Sequence, residues 1–359
     1  MTNEDLGYNH FFEENRAKLG LGDFSVARIV SESRGAYRVK NASGEYRAQI
    51  TGKHIFTASA REDYPAVGDW VAITELPSDQ AVIRAVLPRL TMIKRKCGDR
   101  SRNGHKDQTQ IIATNIDVAF IIESVDRDYN LNRFERYFAL AKDGGVRPVI
   151  ILNKVDLLTA EELDNRLAQL ENRFPEVEII LASVVSGDGL NDLKKYIVNG
   201  RTYCFLGSSG VGKSSLINKL LGKDSIKTRD VSSSSGRGKH TTTVRQMYFL
   251  EIGGIVIDNP GIREVGLALT KQGLEISFDQ IAKMAKECRF VDCTHTHEPG
   301  CRILEAVKNQ ELDEEKYLNY LRLKKEADYS DLSDNEKREK KRQFGKFVAK
   351  AKKQLKEFE

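Results

Sequence analysis

Eight residues, Gly207-Ser208-Ser209-Gly210-Val211-Gly212-Lys213-Ser214, carry the spacing G-x-x-x-x-G-K-S. Glycines so placed let a backbone curl until successive N–H groups face one centre, a cradle for phosphate oxygens. The apolar run from Tyr203 to Leu206 leads in, and Ser215-Leu216-Ile217-Asn218 leads out in a helical pattern. The chemistry expected is binding of a nucleotide's phosphates, strengthened by the dipole of the following helix. Lys213 is expected to reach the β- and γ-phosphates as a catalytic cation. The Ser214 hydroxyl is expected to ligate Mg²⁺, with Ser215 beside it.

A second set of residues reads the base. Asn153-Lys154-Val155-Asp156 follows directly on the apolar run from Val149 to Leu152. The Asp156 carboxylate can accept hydrogen bonds from a ring N1–H and an exocyclic amino group, a donor pair that guanine has and adenine lacks. Asn153 is expected to order the neighbouring loops, and the Lys154 stem to pack on the base. Ser183-Val184 follows the run from Val177 to Leu181 and is expected to lend a backbone N–H to the base oxygen. An ordinary serine at a strand end is the plainer reading.

Asp258-Asn259-Pro260-Gly261, after Ile255 to Ile257, matches D-x-x-G. Asp258 is expected to hold Mg²⁺ through a water, and the Gly261 N–H to sense the γ-phosphate. Between the two phosphate motifs runs Gly236-Arg237-Gly238-Lys239-His240-Thr241-Thr242-Thr243, suited to a switch that orders around the metal. Thr242 is the expected metal ligand and Thr241 the next choice. The set predicts GTP hydrolysis, with GTP and GDP as ligands. Its order is unusual, because the base motif precedes the phosphate loop. Such a chain reads as circularly permuted, which a fold tolerates when its original termini lay close together.

Cys288-x4-Cys293-x-His295-x5-Cys301 gathers three thiolates and an imidazole around a Pro299-Gly300 turn. That donor set suits one closed, tetrahedral, structural zinc. His297 lies between the same cysteines and competes as a ligand. Buried free cysteines beside surface histidines are the alternative.

The elements that must position these residues fall into three texture classes. From 22 to about 90, short β-branched and aromatic runs alternate with turn residues such as Asn41-Ala42-Ser43-Gly44, Pro65, Gly68 and Pro77. Five strands in that pattern predict a small barrel of oligonucleotide-binding (OB) type, although an SH3-like barrel fits the pattern equally. From about 112, continuous apolar runs alternate with helical spacing, as at Phe134, Tyr137, Phe138 and Ala141, which predicts a doubly wound α/β domain. Beyond Ser277 the chain reads as helical and polar. The expected division is an N-terminal extension at 1–21, the barrel at 22–95 and a basic linker at 96–111. The GTPase domain follows at 112–276, then a zinc-binding domain at 277–325 and a basic helical tail at 326–359.

Of 359 residues, 40% are apolar and 30% charged, enough for real cores. No apolar run approaches the roughly 18 residues a membrane span needs. The first residues, MTNEDLGYNHFFEENR, contain no signal-peptide core, and five cysteines, an odd count, fit a reducing cytoplasm better than a disulfide framework. The net charge of +5 is concentrated at Lys94 to Lys106 and in the tail from Lys337 to Lys356, either solvated faces or contacts for nucleic acid.

The permuted order, the barrel and the motifs GSSGVGKSSLIN, GRGKHTTT, DNPGIRE and CRFVDCTHTHEPGC together resemble one family. It is the bacterial small-ribosomal-subunit-dependent, circularly permuted GTPases, also called ribosome biogenesis GTPase A, and the resemblance covers about 22 to 325. It implies an OB-type barrel, a permuted P-loop GTPase domain and a mostly helical zinc-binding domain. It also implies late maturation of the small ribosomal subunit, contact with its rRNA, and hydrolysis stimulated by the subunit. Ile262 stands where many GTPases carry a catalytic glutamine, so unaided hydrolysis is expected to be slow. The resemblance points to His240 for the attacking water, whereas packing or RNA contact is its plainer role. Val184 departs from the small residue usual after that serine. A cytoplasmic monomer without membrane contact is the expected setting. The rival readings are a nucleotide-switched RNA-binding assembly factor with little turnover and a P-loop ATPase or kinase acting on RNA.

Overall fold

The structure is a computed structural model that describes residues 1–33, 35–52, 61–97, 108–126, 129–222, 226, 245–258 and 270–332, with positions 336, 339 and 342. The chain divides into two compact units, one of residues 1–98 and 108–267, the other of 99–107 and 268–359.

The first unit opens with helix α1 (His10–Lys18), capped by the Asn9 side chain accepting from the Phe11 N–H. Five strands follow: β1 (Ser25–Ser33), β2 (Ala36–Lys40), β3 (Glu45–Ile50), β4 (Trp70–Leu76) and β5 (Gln80–Val86). They run in the order β1-β2-β3-β5-β4, and β4 returns to pair with β1, closing the barrel. The β3–β5 pair is parallel and its neighbours are antiparallel, the OB arrangement rather than the SH3-like one. Turn chemistry sets the hairpins: Asn41 Oδ1 accepts from the N–H groups of Ser43 and Gly44, bending the chain between β2 and β3. The inward residues Ile29, Val39, Val71, Ile73 and Ile83 fill the barrel.

The segment expected as a mere extension is anchored. Leu6 and Phe12 are buried in one cluster with Trp70 and Leu87. Arg28, itself buried, donates to the carbonyls of Leu6, Gly68 (3.2 Å) and Asn115 (2.9 Å), tying the N-terminal segment, the barrel and the start of the α/β half to one side chain.

Strands β6 (Met92–Cys97) and β7 (Gln108–Thr114) pair as a separate antiparallel ribbon. The stretch 96–111 expected as a linker therefore begins and ends inside strands, while 98–107 lies outside the described residues. The α/β half comprises β8 (Val118–Ser124), α2 (Leu131–Asp143), β9 (Arg147–Asn153), α3 (Ala160–Arg173), β10 (Ile179–Ala182), α4 (Leu190–Tyr196), β11 (Thr202–Leu206), α5 (Lys213–Leu221), β12 (Arg245–Phe249) and β13 (Ile255–Asp258). Its strand order is β10-β9-β8-β11-β13-β12, parallel throughout except for β12. Every residue of β8 is buried, as a strand covered on both faces requires.

Barrel and α/β half are not separate bodies. Edge strand β12 pairs with β1 through Ser31 opposite Gln246 and Glu32 opposite Arg245, so eleven strands form one sheet. Pairing between strands so far apart in sequence leaves no local periodicity, which is why the sequence suggests two domains here.

The second unit contains α6 (Lys271–Ser277), α7 (Asp279–Ala285), α8 (Arg302–Lys308) and α9 (Glu314–Asp331). Helix α6 thus lies beyond the first unit, which ends at 267 rather than the expected 276. Leu274, Phe278, Ile281, Ile303 and Leu323 are among its buried apolar residues, and the Phe278 and Tyr320 rings lie 5.4 Å apart. The boundary expected at 325 falls inside α9. Among the described residues no helix is long and apolar enough to cross a membrane.

Candidate nucleotide site and metal knot

Parallel pairing brings the motif residues to one sheet edge. The carboxyl ends of β9, β10, β11 and β13 carry Asn153, Ser183, Gly207 and Asp258 respectively, the place where open α/β sheets bind ligands.

The phosphate loop takes the shape its glycines permit. Gly207 has φ +151, and a Cβ there would stand 2.2 Å from the Ile122 carbonyl oxygen of the neighbouring strand. Gly212, φ +98, caps α5, and a Cβ there would stand 2.2 Å from Asn153 Nδ2. Only glycine fits either position. Ser208, Ser214 and Ser215 are half-buried, Ser209 and Gly210 are exposed at the tip, and Val211 is buried in the core. Lys213 opens α5, and its ammonium donates to the carbonyls of Gly207 (2.7 Å) and Ser208.

The base motif is tied to that loop. Asn153, buried at the end of β9, donates through Nδ2 to the Val211 carbonyl at 2.7 Å. Asp156 is exposed and accepts from the buried Ser183 hydroxyl at 2.5 Å. That hydroxyl oxygen also accepts from the backbone N–H groups of Val185 and Ser186, so the loop after β10 is wound around it. Val184 turns its half-buried side chain against the core cluster. Lys154 has left-handed backbone, φ 66, and pairs with Asp126 at 2.7 Å. Neither Asp126 nor its partner Ser124 belongs to a motif. Their one sequence signal is that they directly end the apolar run of β8.

Electrostatics favour an anion and a cation together. Burial pushes the Lys213 ammonium down to about 8, with Asp258 and Glu123 acting the other way. Burial also raises the Asp258 carboxyl above its usual range, opposed by Lys213. Each charge is desolvated, and a phosphate with its divalent ion relieves both at once. Ser214 at the helix start and Asp258 at the strand end supply the oxygen donors Mg²⁺ prefers. His240, Thr241, Thr242, Gly261 and Ile262 lie outside the described residues.

The second unit holds the other cluster. The donor atoms of Cys288, Cys293, His295 and Cys301 all lie within 4.8 Å of one another. Cys288 Sγ is 3.9 Å from Cys301 Sγ, and His295 Nδ1 is 3.7 Å from each of those sulfurs. A tetrahedral ion with bonds of about 2.3 Å to sulfur and about 2.0 Å to nitrogen sets such ligands roughly 3.8 and 3.6 Å apart. The four residues fit zinc, which would supply the loop with a covalent-strength cross-link. His297 is exposed and bonds to the Thr296 hydroxyl, outside the cluster of the other four donors. Burial and Lys324 hold His295 below its usual pKa, keeping the ring in the neutral form a metal ligand needs. The loop is braced twice. The Glu298 carboxylate accepts from the N–H groups of Thr294 and Thr296, and the Tyr317 hydroxyl of α9 donates to the His295 carbonyl at 2.7 Å.

Comparison with known proteins agrees with this geometry. The family described as RsgA GTPase matches residues 86–268. The small ribosomal subunit biogenesis GTPase RsgA 1 of Bacteroides thetaiotaomicron is 37% identical over 337 residues, spanning 94% of this chain and 92% of the relative. The small ribosomal subunit biogenesis GTPase RsgA 2 of Lactiplantibacillus plantarum is 40% identical over 322 residues, 89% of each chain. Among solved structures, YjeQ from Thermotoga maritima superposes with a TM-score of 0.64 at 26% identity, covering 84% of this chain and 98% of that one. YloQ, described as a circularly permuted GTPase, shares the fold with a TM-score of 0.61 at 20% identity, covering 87% of this chain and 98% of that one. With its permuted site and with relatives this similar along nearly their whole length, the chain belongs to the RsgA GTPase family.

Proposed function

We infer that this chain hydrolyses GTP on the small ribosomal subunit during late maturation, that the subunit stimulates turnover, and that hydrolysis times release. The observation that carries the reading is the tie between Asn153 and the phosphate loop at Val211, which couples a guanine motif to a phosphate motif in one site. That the relatives are named small ribosomal subunit biogenesis GTPases supports the choice of particle.

In this reading the N–H groups of 207–215 cradle the phosphates and Lys213 moves from its two carbonyl partners to the β- and γ-phosphates. Asp156 reads the guanine edge while Lys154 packs on its face, and Ser183-Val184 lends a backbone N–H to the base oxygen. Ser214, Thr242 and Asp258 would hold Mg²⁺, which would neutralise charge on the phosphates. Gly261 senses the γ-phosphate. His240 orients the attacking water in place of the glutamine absent at Ile262. Cys288, Cys293, His295 and Cys301 would hold one structural zinc. The basic residues of the ribbon and tail contact rRNA phosphates, and the working form is a cytoplasmic monomer.

Co-sedimentation with purified small subunits tests the partner. The chain is expected to pellet with small subunits in a non-hydrolysable GTP analogue, less so with GDP, and to be released steeply by salt as phosphate contacts are screened. Equal retention on small and large subunits would overturn the assignment.

A further inference from the structure

Three of the loops around the base site carry recognised motif residues, after β9, after β10 and in the phosphate loop. The loop after β8 carries none, yet it supplies a charge to the site. The Asp126 carboxylate takes the Lys154 ammonium at 2.7 Å through one oxygen. Through the other it accepts from the Ser124 hydroxyl, also at 2.7 Å.

Asp126 is set by the strand frame rather than by a loose loop. Ser124 is buried and stands in register with Asn153 on the neighbouring parallel strand. The Val125 N–H donates to the Asn153 carbonyl at 3.1 Å, and the Asp126 carbonyl accepts from the Tyr129 N–H at 3.0 Å. Ser124, Asp126, Lys154 and Asn153 thus form one rigid group, with Asn153 reaching on to the phosphate loop. Lys154 needs such a partner. Its left-handed backbone fixes where the side chain departs, but the long stem behind the ammonium keeps its rotamer freedom unless the far end is held.

We propose that Asp126 is a positioning residue for guanine binding: it holds the Lys154 ammonium so that the lysine stem already stands as a flat apolar surface for the face of the base. This rests on the guanine reading of Asn153 to Asp156. Ordering the stem before the nucleotide arrives removes that cost from the binding step, so the pair strengthens affinity without touching the ligand through Asp126 itself. The two side chains are 25% and 32% exposed, and a pair so placed adds little to fold stability. A merely structural role would therefore appear in unfolding, whereas positioning appears in affinity. The stem meets the face of the ring, not its edge. Asp126 should accordingly act on guanine and hypoxanthine nucleotides alike, while Asp156 sets the ratio between them.

The test is titration of the full chain with fluorescent GDP, with inosine and xanthosine diphosphates as competitors, in Asp126→Ala, Asp126→Glu and Asp156→Asn. Asp126→Ala is expected to weaken GDP and IDP about 3- to 10-fold in equal measure, with the loss shrinking as salt screens the pair. The thermal midpoint should stay at the parent value, and Asp126→Glu should recover most of the affinity. Unchanged GDP affinity in Asp126→Ala overturns the proposal. So does a loss accompanied by a lower midpoint that Asp126→Glu fails to recover. Asp156→Asn separates the two layers: a swing toward XDP upholds the guanine reading whatever Asp126 does. No swing means that the guanine reading itself has failed, and this proposal with it.

Discussion

Asn153 Nδ2 donates to the Val211 carbonyl across 2.7 Å, and the same nitrogen lies 2.2 Å from where a Cβ on Gly212 would stand. The base motif and the phosphate loop are therefore built around one amide, and neither can shift alone. Asn153→Ala removes the donor and leaves a buried carbonyl to be desolvated, which costs about 1–3 kcal/mol. GTP and GDP affinities should fall together by roughly 10-fold or more, read by equilibrium titration, with the fold retained by circular dichroism. A change confined to GTP would place Asn153 in γ-phosphate sensing instead.

Asp156 stands exposed with one oxygen fixed by the Ser183 hydroxyl. Asp156→Asn replaces a double acceptor by a mixed donor and acceptor, which complements xanthine rather than guanine. Hydrolysis of GTP should drop by about two orders of magnitude in kcat/KM while XTP becomes the better substrate. Ser183→Ala, which frees the carboxylate but keeps its charge, should raise KM for GTP and leave kcat near the parent value. ATP turnover unaffected by either change would point to a different base.

The four donors of the metal knot predict one zinc per chain by elemental analysis. Cys301→Ser removes a buried thiolate and should abolish stoichiometric zinc, while His297→Ala, outside the cluster, should leave it intact. Chelation should unfold the second unit first, because the loop between α7 and α8 depends on the ion for closure. Tyr317→Phe loses the bond to the His295 carbonyl and should speed zinc release about 10-fold, with stoichiometry unchanged at saturating metal. Loss of zinc in His297→Ala would move the fourth ligand.

Arg28 satisfies carbonyls from three distant segments, at Leu6, Gly68 and Asn115. Arg28→Leu leaves those buried acceptors without a donor and should lower unfolding free energy by about 2–4 kcal/mol. The thermal midpoint of the first unit should fall clearly, and proteolysis should begin within the N-terminal segment. An unchanged midpoint would mean that water replaces the guanidinium.

The residues of the site were more legible than the frame that holds them. Gly207 and Gly212 could be read because the glycine spacing of the phosphate loop is contiguous in sequence, although the atoms that would crowd a Cβ there, on Ile122 and Asn153, belong to remote strands. The Cys288 to Cys301 knot was legible because all four donors sit within one short stretch, while the separation of His295 from His297 needed the positions of their ring nitrogens. The β12–β1 seam was not legible, because Glu32 and Arg245 meet only after the chain has folded back on itself. Leu6 and Phe12 looked like part of a plain extension for a related reason: two apolar residues in a polar stretch give no periodicity, and their partner Trp70 is remote in sequence. Asp126 escaped notice because an aspartate at a strand end is ordinary until its contact with Lys154 is seen.

Activation by the small ribosomal subunit is the proposed property on which the others depend. The direct test is steady-state GTP hydrolysis by the purified chain alone, with small subunits and with large subunits, using ATP as the control nucleotide. The chain alone should turn over slowly, in keeping with Ile262 after the D-x-x-G motif, with a large GTP-specific rise on adding small subunits only. The same slow rate under all three conditions, or an equal rise with large subunits, would contradict it.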